Sequence, residues 1–129
     1  MKRLLLVLAV LLGILLLTAR AAEPRKDDRM KRKLASSQKV LEGIAVGDFK
    51  LIDKHAEELL LIAKEAGWKV LKTLAYELYS NDFRRHAETL MKNAKDKNLD
   101  AAALTYVELT LTCVKCHKHV REVQMTSLD

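Results

Sequence analysis

Three side chains near the carboxyl end of this chain, Cys113, Cys116 and His117, have the types and the spacing for chemistry. Positions i, i+3 and i+4 share one side of a helix, so both thiols and the imidazole can face the same way. Two thiols in that register can add across the two vinyl groups of a haem while the adjacent imidazole reaches its iron, which is why C-x-x-C-H reads as covalent haem attachment. Rival chemistries are weaker. A structural zinc ion normally takes four nitrogen or sulfur ligands, and beyond Cys113, Cys116, His117 and His119 the chain has no second cysteine pair. Ligands crowded into one short stretch of helix would form a strained tetrahedron. A dithiol redox pair wants its first cysteine at a helix amino terminus, where the dipole lowers its pKa, whereas Cys113 is expected more than two turns into its helix. A disulfide fits poorly inside regular helix. Zinc, thiol redox and inert cysteines therefore stand behind a single covalent haem c.

The elements that must position this motif are legible from apolar spacing. Met30, Leu34, Ser37, Leu41 and Ile44 place a mostly apolar stripe on a first helix from about Asp28 to Ala45. Gly47-Asp48 breaks the chain, with Asp48 as the cap of a second helix that buries Phe49, Ile52, Ala56, Leu59, Leu60 and Ala63 and ends at Gly67. Trp68 to Tyr79 is less periodic and reads as a partly helical crossover. Ser80 is the expected cap of a third helix, with Phe83, Ala87, Leu90 and Ala94 inward. Asp96 to Asn98 makes the next turn. Asp100 is the expected cap of a fourth helix with Ala103, Tyr106, Val107, Thr110, Cys113, Val114 and His117 on its inward side. Four helices with short connections must bury their stripes against one another, so the expected fold is all-α, an antiparallel four-helix bundle.

The amino-terminal residues set the compartment. Lys2 and Arg3 precede the unbroken apolar run Leu4–Leu17, and Ala19-Arg20-Ala21 places small residues where a signal peptidase cuts. Residues 1–21 read as a cleaved signal peptide and residues 22–129 as one domain. The apolar run is shorter than the roughly 20 residues of a membrane-crossing helix, so no stable span is expected after processing. Lys2, Arg3 and Arg20 lie in the leader with no acid, so the formal charge of +6 falls to +3 after cleavage. That weak basicity, without interleaved aromatic residues, argues against a nucleic-acid partner. No paired carboxylates or nucleophile triad point to hydrolysis, and the chain does not read as an enzyme.

A leader, four helices and C-x-x-C-H near the end of the last helix together resemble the c-prime-type, or class II, cytochromes c. The closest local match is Cys113 to Arg121, where Arg121 fits the basic residue one turn beyond the haem histidine and Val120 replaces the usual aromatic residue. The resemblance implies a cytochrome c-prime-like bundle, with His117 as proximal iron ligand and Met30, early in the first helix, as distal ligand in a low-spin member. It implies an exported, periplasmic one-electron carrier that serves redox partner proteins, and it permits a homodimer through helices one and two. With Met30 turned away, the iron would be five-coordinate and would bind nitric oxide or carbon monoxide instead. Arg29, Lys33 and Arg121 are candidate contacts for the haem propionates. Trp68, Tyr76 and Tyr79 are candidates to shield the haem edge. His55 and His86 read as boundary or solvent-facing residues, and His119, two positions beyond His117, points elsewhere on the helix.

Overall fold

The turns carry the clearest local logic. Gly47 adopts a positive φ of 73°, which a side chain would strain, and Asp48 caps the next helix by accepting from the backbone N–H groups of Lys50 and Leu51, each at 3.0 Å. Thr73 accepts from the Tyr76 N–H at 3.2 Å, and Asn98 accepts from the Ala101 N–H at 3.0 Å after Lys97 turns the chain at a φ of 54°. The computed structural model describes residues 26–65 and 70–127. Their helices are α1 (Lys26–Val46), α2 (Phe49–Lys64), α3 (Leu74–Lys95) and α4 (Leu99–Thr126), and successive helices run antiparallel in a four-helix bundle. The expected leader at residues 1–21, the Gly67 helix stop and Trp68 lie outside the described residues. Among the described residues no helix is long and apolar enough to cross a membrane.

Short turns place the start of α1, the end of α2, the start of α3 and the end of α4 at one pole. The apolar core, built on Val40, Ile52, Ala56, Phe83, Leu90 and Leu109, fills the middle and the opposite pole. Helices α1 and α2, α2 and α3, and α3 and α4 pack along their lengths, whereas α1 and α4 meet sparsely. One bridge between that last pair is the hydrogen bond of the Ser37 and Tyr106 hydroxyls at 3.2 Å. At the pole, Arg32 of α1 reaches Glu58 at 2.8 Å and Glu65 at 2.7 Å, next to where α2 ends.

Several boundaries differ from the sequence-based expectation. Helix α3 begins at Leu74 under a Thr73 cap, so Tyr76 and Tyr79 are helical. Ser80, expected as the cap, is buried inside α3, where its hydroxyl donates to the Tyr76 carbonyl at 2.8 Å. A hydroxyl bonded back to the preceding turn is locally satisfied and does not start a helix. Asn98, not Asp100, caps α4. The buried face of α4 carries Ala102, Thr105, Leu109 and Thr112, while Val107, Thr110, Val114 and His117, all expected inward, are exposed. On α1 the buried positions are Arg29, Ser36, Val40 and Gly43, and Leu34 and Leu41 are exposed. In both helices the tightly packed face is rotated from the apolar stripe because small and polar residues, Gly43, Ser36 and Thr105 among them, let helices approach where larger side chains cannot.

Gly43 shows the tightest approach. A Cβ there would lie 2.8 Å from Ile52 Cγ1 and 3.1 Å from both the Asp48 carbonyl oxygen and the Ile52 nitrogen. Two of those three atoms are backbone and cannot swing aside. Gly43→Ala is therefore expected to destabilise the bundle by about 1–3 kcal/mol despite alanine's better helix propensity, measured as a lowered urea midpoint. An unchanged or raised midpoint would show that α1 and α2 can slide apart freely.

Candidate functional site

Because α1 and α4 meet only sparsely, space remains between them that Val70, Leu71 and Tyr76 help to enclose. Two adjoining hollows of about 260 and 420 Å³ occupy it, and the residues common to both are Met30, Lys33, Cys113 and His117. The first is also bounded by Arg29, Val70, Leu71, Tyr76, Cys116, Val120 and Gln124. Core residues Leu59, Phe83 and Leu109 make the floor of the second, and Leu34 stands at its mouth, 61% exposed. The motif residues from α4 and the methionine from α1, far apart in sequence, thus face one largely apolar space.

The electrostatics suit neutral donors. Burial raises the pKa of both thiols, partly opposed by the positive charge of Lys33, so Cys113 and Cys116 stay protonated near neutral pH. That is opposite to the lowered pKa of a reactive dithiol, and both cysteines are free. Burial first, then the charges of Lys33 and Arg121, lower the pKa of His117 and keep its ring neutral with a lone pair available. Among the described residues no three His, Cys, Asp or Glu side chains converge on a position for a bare metal ion.

Other anticipated residues fall into two groups. Arg29 is buried, only 8% exposed, and lines the first hollow; Arg121 is exposed on the turn of α4 after His117. Met30 is 38% exposed, at the rim rather than the floor. Tyr76 is buried against the hollow, and burial raises its pKa. Tyr79 instead packs edge-on against His119, with ring centroids 6.2 Å apart, and His119 Nε2 hydrogen-bonds the Thr73 hydroxyl at 2.7 Å. His119 therefore pins the start of α3 to α4 and lies outside the hollow. His86 faces Glu108 at 3.5 Å and His55 sits on α2, both away from it.

Lys33 is placed more deeply than its charge suggested. Its ammonium nitrogen lies 3.6 Å from the centroid of the Phe83 ring on α3, so the side chain reaches across the bundle interior. Burial lowers its pKa to about 8. The spacing from Met30, three residues on one helix, held that information, because i and i+3 share a face. Val70, Leu71 and Gln124 had no comparable sequence signal, since only the chain's path brings them to the hollow.

This donor set fits a haem: two thiols on one helix turn, a neutral imidazole beside them, a thioether from α1, apolar walls, and the buried cation Arg29 at the edge of the first hollow. The bundle and its Cys113-Val-Lys-Cys116-His117 motif are consistent with a c-type cytochrome fold. No family model, no curated protein and no solved structure matches this chain.

Proposed function

We propose that this chain is an exported monohaem c-type cytochrome that carries single electrons between redox proteins. The observation that carries the reading is the meeting of Met30 with Cys113, Cys116 and His117 at one apolar space between α1 and α4. Bound haem would supply a reversible one-electron couple. Cys113 and Cys116 would tether it by thioether bonds, and His117 and Met30 would supply a nitrogen and a sulfur donor to its iron. A soft, neutral thioether stabilises ferrous over ferric iron, and the apolar floor of Leu59, Phe83 and Leu109 excludes water and reinforces that preference. Arg29, buried at the first hollow, would neutralise a propionate, with Arg121 as a further cation. The mouth beside Met30 and Leu34 leaves a cofactor edge open to a docking partner. The signal peptide read in residues 1–21 would deliver the chain to the periplasm, where haem is attached to proteins of this type.

Visible and electron paramagnetic resonance spectra of the purified protein test the assignment. Low-spin iron is expected in both oxidation states, with the weak far-red band of methionine-bound ferric haem, and Met30→Leu should abolish that band. High-spin spectra in both states with Met30 present would overturn the electron-carrier reading in favour of a five-coordinate site for nitric oxide or carbon monoxide.

A further inference from the structure

Met30 and Lys33 stand three residues apart on α1 and both border the two hollows shared with Cys113 and His117. They differ in depth. Met30 sits at the rim, whereas Lys33 extends inward until its nitrogen lies over Phe83, a floor residue of the second hollow. Lys33 lines the first hollow together with Cys113, Cys116 and His117, all three donors of the motif. A cofactor held by the motif in these hollows would border this nitrogen.

We propose that Lys33 is a second distal donor, whose amine nitrogen competes with the Met30 sulfur for the sixth position of ferric haem iron. The inference rests on the haem-binding reading above. In the exchange the ammonium gives its proton to solvent through the open mouth, the nitrogen lone pair forms the iron bond, and the thioether leaves unchanged. Iron keeps its oxidation state, so no oxidant or reductant is consumed. Nitrogen is the harder donor and sulfur the softer, so the amine competes with the thioether for ferric iron and leaves ferrous iron to Met30.

The test uses the full-length, haem-loaded protein and compares Met30→Leu, Lys33→Leu and the double variant by ferric paramagnetic resonance at neutral pH. Leucine fills the space of either side chain and offers no donor. Met30→Leu is expected to lose the far-red band yet remain low-spin, and the double variant is expected to lose the low-spin signal and become high-spin. High-spin iron in Met30→Leu alone, or a low-spin signal that survives in the double variant, would overturn the proposal. Circular dichroism of each variant identifies unfolding, and Lys33→Ala in the Met30→Leu background repeats the measurement should Lys33→Leu not fold. Failure of the underlying haem reading is distinct, because the wild-type protein would then release all its haem, or never acquire it, whatever the spin state of the variants.

Discussion

Replacing both Cys113 and Cys116 by alanine is expected to abolish haem retention through acid and organic extraction, while the wild-type chain, made in cells that mature c-type cytochromes, keeps its haem throughout. The effect is all or none because the thioether bonds are the only covalent links available: the chain has two cysteines and both border the hollow. Far-ultraviolet circular dichroism separates this loss from a loss of fold. Cys113 packs against the core as a partly buried residue and Cys116 is half-buried, so their removal deletes little apolar contact and the helices should survive. Extraction of haem from the wild-type chain as readily as from the variant would defeat covalent attachment, and with it the central claim about the motif.

The second large effect belongs to the haem-free chain and to Lys33. Its folded pKa of about 8 lies below the ordinary value of 10.5, so burial disfavours the charged form. Below about pH 8 both folded and unfolded chains hold the proton, and the penalty for burying the charge is fully present. Between there and 10.5 the unfolded chain binds more protons, so stability rises with pH as the folded amine becomes neutral. The full shift corresponds to roughly 3 kcal/mol. Cys113, Cys116 and Tyr76 act in the opposite sense: their folded pKa values are raised above 9.0 for the thiols and 10.0 for the phenol. Their contribution is complete below those values and is lost as the pH climbs through the raised ones. Urea titrations of the haem-free chain should therefore show stability climbing between about pH 8 and pH 9 and levelling or falling above it. Lys33→Met should remove the climb and raise stability at pH 7 by about 2–3 kcal/mol. A variant with the same pH profile as the parent would show that the ammonium reaches water and pays no burial penalty.

Interior α-helical periodicity was the most legible part of the chain. Phe83, Ala87, Leu90 and Ala94 are buried as their spacing predicts, because α3 packs along its length against neighbours on both sides and its apolar stripe coincides with the contact face. The Gly47-Asp48 break was equally clear, since a positive φ and an amino-terminal cap are local requirements met by local side chains. Helix starts at Thr73 and Asn98 were harder. Ser80 and Asp100 have the right chemistry for caps, and sequence spacing does not distinguish a cap from a residue inside the helix.

The candidate site divides along the same line. The sequence by itself determined the donor chemistry of Cys113, Cys116 and His117, because their shared side follows from the rise and twist of one helix. It also determined that four apolar stripes must meet, and hence a four-helix bundle. Only the tertiary structure decided what stands opposite the motif. The sparse contact of α1 with α4, the rotation of α1 that buries Arg29 and Ser36, and the reach of Lys33 to Phe83 depend on how closely helices pack at Gly43 and Thr105. Helix phase is set by side-chain volumes on two or three neighbouring helices at once, a nonlocal sum that no single stripe records. That phase places a sulfur at the rim and an amine in the interior of the same hollow.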